Sequence, residues 1–258
     1  MKQIETAFRN TTSLLFGKPL HNLGDYEKWL MKYVVGFTKK KSQVSEKQVY
    51  VLSWGVYEEI GSNAVKYKES LALGNRSLTP EDVEELCLGN AHQKLSKIST
   101  TTPEVLFQRD LGSVECACHG NTQYCFRSTL CWFSKLTGYS HWTRDAHCVF
   151  GSSNLIDCSL CINIYNSTKL ARCFEVNDSN ACSDCYFCHN CDGLENCMFC
   201  FNAKGLRYAI ANREIGREQY MRIKKILQDY ILRELEDKKA LQLDIFSMGT
   251  KKKKTVRR

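Results

Sequence analysis

The sequence predicts a mainly β protein: a narrow parallel β-helix of about 12 residues per coil, closed by a C-terminal α-helix and preceded by a smaller mixed or α-rich region. Three observations predict it. Counting by threes from Thr122 to Ala209 meets thirty positions and not one charged, amide or aromatic side chain. Within that lattice, small or apolar residues return at a step of twelve, as in Leu170, Cys182, Leu194 and Leu206. After Ala209 the period of three stops and a helical spacing takes over.

A helix at 3.6 residues and an ordinary strand at 2.0 do not produce a period of three. Polyproline II does, but it goes with proline or glycine enrichment, and this chain has three prolines. Short strands joined by tight corners send every third residue inward. An interior that slim admits only Cys, Ser, Thr, Ala, Val, Leu and Ile, and eleven of the fifteen cysteines fall on the lattice. Charges, asparagines and aromatics stand between. Ala181, Gly193 and Gly205 recur at the same step as corner residues, and Phe174, Tyr186, Met198 and Ile210 form an outward column. About seven coils at about 4.8 Å per rung make a rod roughly 35 Å long. A three-residue insertion is expected between Ile162 and Ser167.

The elements follow in chain order. Residues 1–112 lack the lattice and form the mixed or α-rich part. Asp25–Phe37 (DYEKWLMKYVVGF) reads as a helix with Tyr26, Leu30 and Tyr33 or Val34 on one side, and QVYVLSWGVY as a strand. In SLTPEDVEEL, Thr79 is the N-cap, Pro80 the first helical residue, and acids fill the first turn. Thr100–Phe107 leads into the solenoid at 113–212. Over 213–246, Tyr220, Ile223, Leu227, Tyr230, Ile231 and Leu235 share one helical face. A helix there caps the open last rung, which would otherwise invite strand addition. Residues 247–258 form a disordered basic tail.

For function, the stretch ACSDCYFCHNCDGLENCMFC (Ala181–Cys200) decides most. Its cysteines occupy slots held elsewhere by Ser, Thr, Ala, Val and Leu, so they read as small buried hydrophobes. The alternative is a zinc site of Cys182, Cys185, Cys197 and Cys200, two CxxC knuckles with His189 near by. That leaves over Cys158, Cys161, Cys188 and Cys191, which share the period, and no glycine follows Cys185. Disulfides between neighbouring rungs are a third reading. Cys116, Cys118 and His119, taken as lying off the lattice, form a separate metal candidate. A Cys–His nucleophile needs an activated thiol. A stacked core offers the opposite, and His141 and His147 beside Cys148 are expected at the surface. No phosphate loop, GxSxG or HExxH occurs. The reading is a non-enzyme without cofactor or small-molecule substrate.

The formal charge is +8, and the last eight residues alone carry Lys251, Lys252, Lys253, Lys254, Arg257 and Arg258 against no acid. The remaining body holds 30 basic and 28 acidic residues. Attraction to nucleic acid would therefore act through the tail and weaken with salt. No apolar run of about 18 residues indicates a membrane span, and MKQIETAFRNTTSLLF lacks a secretory pattern. The expected compartment is the reducing cytoplasm. Tyr186, Phe187, Met198, Phe199 and Phe201 line up outside adjacent coils, either a protein-binding face or a surface for the chain's own helices.

In architecture the chain resembles the cysteine-rich insect antifreeze β-helices, which also use twelve-residue coils. Their Thr-x-Thr ladder is absent, so that activity is not implied. YCFRSTLCW, CFEVNDSNACSDCYFCHNC and CMFCFNAKGLRYAIAN are similar to cysteine- and asparagine-rich repeat proteins of archaeal genomes and of mobile elements or viruses, over Cys116 to Phe246. That resemblance implies a repeat fold and no particular activity. A structural or assembly protein results, binding other proteins or copies of itself; a zinc-containing nucleic-acid-binding module is the alternative.

Overall fold

The computed structural model describes residues 1–60, 63–96 and 98–249. From Thr122 onward the backbone winds as a parallel β-solenoid whose rungs pair at a constant offset of twelve. One column of partners runs Thr129, His141, Ser153, Tyr165, Asn177 and His189. Another runs Phe150, Ile162, Phe174, Tyr186, Met198 and Ile210. The offset holds through 162–167, so the expected insertion is absent: Ile162, Ile164 and Tyr165 belong to one longer strand, Ser159–Thr168. The turns number about eight rather than seven, because Asp110 and Leu111 already pair with Thr122 and Gln123 in a first coil. Two register shifts between Val105 and Asp110 bring the incoming strand, Val105–Leu111, into phase.

The period of three has a backbone cause. Every third residue from Glu115 to Ala211 is left-handed, with φ between +46° and +65°. Two extended residues followed by one left-handed residue turn the chain a corner. Four corners then close a coil, and the residue after each corner points inward. A left-handed conformation costs a non-glycine L-residue about 1–2 kcal/mol, and Asn, Asp and Gly tolerate it best. Asn154, Asn166, Asn190 and Asn202, Asp145 and Asp157, Gly193 and Gly205 all stand at such corners. The corners expected at Ala181, Gly193 and Gly205 are thus three members of an unbroken series.

Neighbouring rungs offset that cost. The residue before each corner donates its N–H to the rung after, as Phe126 to the Thr137 carbonyl (2.9 Å), and the corner residue donates to the rung before, as Arg127 to Val114 (3.0 Å). The inward residue's own N–H lies outside this ladder. Serine supplies its acceptor: Ser140 N–H donates to Ser128 Oγ (3.1 Å), Ser152 to Ser140 (3.3 Å) and Ile164 to Ser152 (3.0 Å). Each of those hydroxyls donates in turn to the carbonyl two residues back, at 2.9–3.0 Å. Cysteine repeats half of this arrangement; Cys182 Sγ lies 3.2 Å from the Asn180 carbonyl and Cys185 Sγ 3.2 Å from that of Ser183. Small polar atoms inside the coil thereby meet backbone groups that water cannot reach.

One side of the solenoid is covered. The helix α1 (Lys2–Phe16), the short turn Leu23–Tyr26 and α2 (Glu27–Leu30) pack there with the final helix. Phe8 meets Phe150 at 5.2 Å and Phe16 meets Phe174 at 4.9 Å, both edge-on. Residues 1–30 and the solenoid therefore share one apolar core. The helix expected over Asp25–Phe37 is confined to its first turns; Tyr26, Trp29 and Leu30 are buried, and Tyr33 turns away to meet Tyr165 (5.8 Å) and Phe246 (4.9 Å). A hairpin of β1 (Phe37–Lys41) and β2 (Gln48–Leu52) follows; it holds the first half of the expected strand, whose end, Val56 and Tyr57, instead opens a helix. Short helices α3 (Val56–Ile60), α4 (Tyr67–Leu73), α5 (Pro80–Glu84) and α6 (Ala91–Leu95) lead to the solenoid. Thr79 caps α5 as read, its hydroxyl accepting from Asp82 N–H at 3.1 Å.

Beyond the last coil, α7 (Arg217–Lys238) packs against the side of the final rungs, with Tyr220 5.7 Å from Tyr208 and Gln228 donating to the Leu15 carbonyl at 2.7 Å. The last rung is closed locally. Arg213–Glu214 pairs antiparallel with Ala209 and Ile210. Asn212 stands in for a further peptide, accepting from Phe201 N–H (2.9 Å) and donating to the Phe201 carbonyl (2.8 Å), while Glu214 accepts from Arg207 N–H (2.8 Å).

An ordinary exposed strand favours valine over glycine; a left-handed corner reverses the order. Because Ala181 already carries the Cβ penalty, Ala181→Gly is expected to leave stability unchanged or raise it by up to about 1–2 kcal/mol, and Ala181→Val, β-branched at positive φ, to lower it. Urea unfolding of the two variants checks this, and valine as the more stable substitution contradicts the corner assignment.

Candidate interaction surface

The outward stripe expected to bind proteins is largely occupied. Tyr186, Phe187 and Met198 are buried in the core formed with α1 and α7. Tyr186 also donates its hydroxyl to the Leu15 carbonyl at 2.8 Å. Phe199 is half-buried, stacked on Phe187 at 5.4 Å, and Phe201 stands on the adjacent side, 6.5 Å from His189. The stripe is corrected accordingly: an apolar column next to two amphipathic helices is covered by them, because that burial is worth roughly 25 cal/mol per Å².

The zinc candidates sit in separate interior columns. Cys185 and Cys197 are one coil apart in a single column, while Cys182 and Cys200 belong to the columns on either side of it. Among the described residues, no three Cys, His, Asp or Glu side chains converge as a metal-holding group. All fifteen cysteines are free, and Cys87 alone is exposed. Burial pushes the thiols of Cys148 up to about 11 and of Cys118 and Cys158 up to about 12. Such thiols are poor nucleophiles. The second candidate also needs correction. Cys116 and His119 continue the inward lattice backwards from Thr122; His119 Nδ1 meets Thr122 Oγ1 at 2.9 Å, and Cys116 Sγ lies 3.4 Å from the Val114 carbonyl. Cys118 is a corner residue, its Sγ 3.3 Å from the Pro103 carbonyl. His141, expected at the surface, is buried; His147 is exposed as read.

A buried carboxylate escaped the sequence reading. Glu175 accepts from Asn163 Nδ2 (2.7 Å) and from Ile245 N–H (3.0 Å). Next to Ile245, Asp244 pairs with Lys32 and with the Tyr33 hydroxyl (2.9 Å), so the segment after α7 is pinned to the solenoid wall. Burial, then the nearby Asp244 charge, raise the Glu175 pKa from 4.5 to about 7.

Opposite the covered side the solenoid is open. Trp142, Asn154, Asn166, Asp178, Asn190 and Asn202 form one exposed column, with Ile156, Asn180, Asp192 and Lys204 beside it. Side chains tie successive rungs together: Asn154 donates to Asn166 (2.8 Å), Thr168 to Asn180 (2.8 Å), Asn180 to Asp192 (2.9 Å) and Asn190 to Asn202 (2.7 Å). The signal was present at the step of twelve, outside the lattice. Lys251, Lys252, Lys253, Lys254, Arg257 and Arg258 lie outside the described residues. No described helix is long and apolar enough to cross a membrane. Compared with known proteins, the chain matches no family model and no curated sequence.

Two outcomes are expected. Under native conditions a thiol reagent should label Cys87 rapidly and the fourteen buried thiols slowly, all fifteen reacting after denaturation; mass spectrometry of the labelled sites reads this. For Glu175, the folded state binds the proton more tightly than the unfolded state. Its contribution to stability is therefore full below about pH 4.5, lost as pH rises towards 7, and level above that. Glu175→Gln should flatten this fall, on the order of 3 kcal/mol. Asn163 Oδ1, which has no hydrogen-bond partner, can take the new amide N–H after a flip. Melting temperatures across the pH range check it.

Proposed function

We propose that the protein is a non-enzymatic structural or assembly element, a rigid rod that offers its uncovered side to a partner protein or to a second copy. The carrying observation is the flat, amide-linked side from Asn154 to Asn202, set against an opposite side buried by the chain's own helices. Closure of the last rung by Asn212 and Glu214 supports lateral over end-to-end contact, because free strand edges recruit further strands. A packed interior of buried thiols and backbone-bound hydroxyls, closed to substrate, supports a scaffold over a catalyst. The resemblance of its repeats to cysteine- and asparagine-rich repeat proteins of archaea, mobile elements or viruses supports the scaffold reading, and the reducing cytoplasm is the compartment proposed with it.

The test is Asn180→Arg with Asn190→Arg, read by light scattering and by chemical cross-linking in the source cell. Cross-linked assemblies should disappear while circular dichroism shows the fold retained, although arginine at the Asn190 corner lowers the melting temperature somewhat. If assembly survives both substitutions and deletion of Lys251–Arg258 abolishes it, the lateral-face reading fails. Asn212→Ala with Glu214→Ala should uncover the last rung and give concentration-dependent end-to-end association; a strictly unchanged oligomeric state contradicts the capping role.

A further inference from the structure

The uncovered side is not uniform. Near its N-terminal end a cleft of about 670 Å³ opens between the hairpin and the solenoid. Trp54, which follows β2, and Trp142, on a corner, line it with their side chains 57% and 43% exposed. Tryptophan carries a large apolar surface and is rarely left open, so two beside one cleft are a pair of unused stacking surfaces. The same cleft is lined by Asn154, Asn166 and Thr168, on the rungs that follow Trp142, with hydrogen-bonding capacity beyond the inter-rung bonds they already make.

The chemistry of this lining selects a ligand class. It comprises indoles, amides, hydroxyls, one imidazole and aliphatic side chains, and no Lys, Arg, Asp or Glu. The imidazole is His141, edge-on to Trp54 at 6.2 Å. Burial lowers its pKa to about 4, so it is neutral at pH 7. Its Nδ1 faces Thr129 Oγ1 at 2.7 Å, and that hydroxyl donates to the Val35 carbonyl at 2.9 Å. Nδ1 therefore carries the hydrogen, and the ring is held fixed behind Trp54. Nearby, Arg144 is paired with Asp145 at 3.6 Å. A polyanion such as nucleic acid finds no cation here, and a purely apolar segment would leave the amides unmatched. A pyranose combines an apolar C–H face with a rim of hydroxyls, which matches flat indoles set beside amide and hydroxyl groups.

We propose that the cleft between Trp54 and Trp142 binds an uncharged oligosaccharide, its ring faces on the two indoles and its hydroxyls on Asn154, Asn166 and Thr168. The rungs set the polar groups at a repeat of about 4.8 Å, so a chain of several sugar units is favoured over a monosaccharide. This goes beyond the scaffold reading and does not depend on it. The probes are cellohexaose, maltohexaose and chitohexaose, with a heparin hexasaccharide and single-stranded DNA as charged comparisons. Tryptophan fluorescence and calorimetry on the full chain read binding. At least one neutral hexasaccharide should bind, and Trp54→Ala or Trp142→Ala should weaken it about tenfold each with unchanged circular dichroism. Asn166→Gly keeps the left-handed corner while removing the amide, and should also weaken binding. The proposal is overturned if none of the three binds, if the charged probes bind as tightly, or if affinity survives in the Trp54→Ala, Trp142→Ala double variant.

Discussion

Everything in this molecule depends on one backbone constraint: a left-handed residue at every third position, held for eight turns. Each corner is unfavourable alone, and each is stabilised only when the rungs on both sides supply hydrogen-bond partners at the twelve-residue offset. Stability is therefore shared between neighbours, as in other repeat architectures. The composition follows from the same constraint. Asparagine, aspartate and glycine gather at corners because they tolerate positive φ, and beyond His119 in the first coil small residues gather after corners because the interior is narrow.

Within the interior, serine and cysteine solve related problems with different strength. A serine hydroxyl both donates to the carbonyl behind it and accepts the inward N–H of the next coil, as Ser128, Ser140 and Ser152 do in succession. A thiol is a weaker partner on both counts and a better hydrophobe. Hydroxyls accordingly dominate the coils from Thr122 to Thr143, and thiols those from Cys173 to Cys200. The two ends of the rod differ in polarity while keeping one cross-section. A cluster of cysteines is then a packing solution, and CxxC spacing arises wherever the lattice puts thiols at consecutive inward slots.

The outside of the solenoid is asymmetric. Two amphipathic helices distant in sequence, α1 and α7, meet on the Phe150–Met198 column and cover it. The opposite side keeps its amide ladders and two tryptophans in solvent. Glu175 marks the seam between them, where a carboxylate from a corner position is buried by the segment after α7 and titrates near neutrality.

The sequence by itself determined the solenoid, its twelve-residue coil, the inward role of Cys182, Cys185, Cys197 and Cys200, the Thr79 cap and the terminal helix. All of these are periodic or local, so they are visible along one dimension. Tertiary structure alone decided which columns are covered, because burial of Tyr186 and Met198 needs α1, some 170 residues away. It also decided that Cys116 and His119 face inward, that no insertion interrupts Ile162–Ser167, and that His141 is buried. Those facts turn on register between rungs, which the order of residues encodes only once the coil has closed.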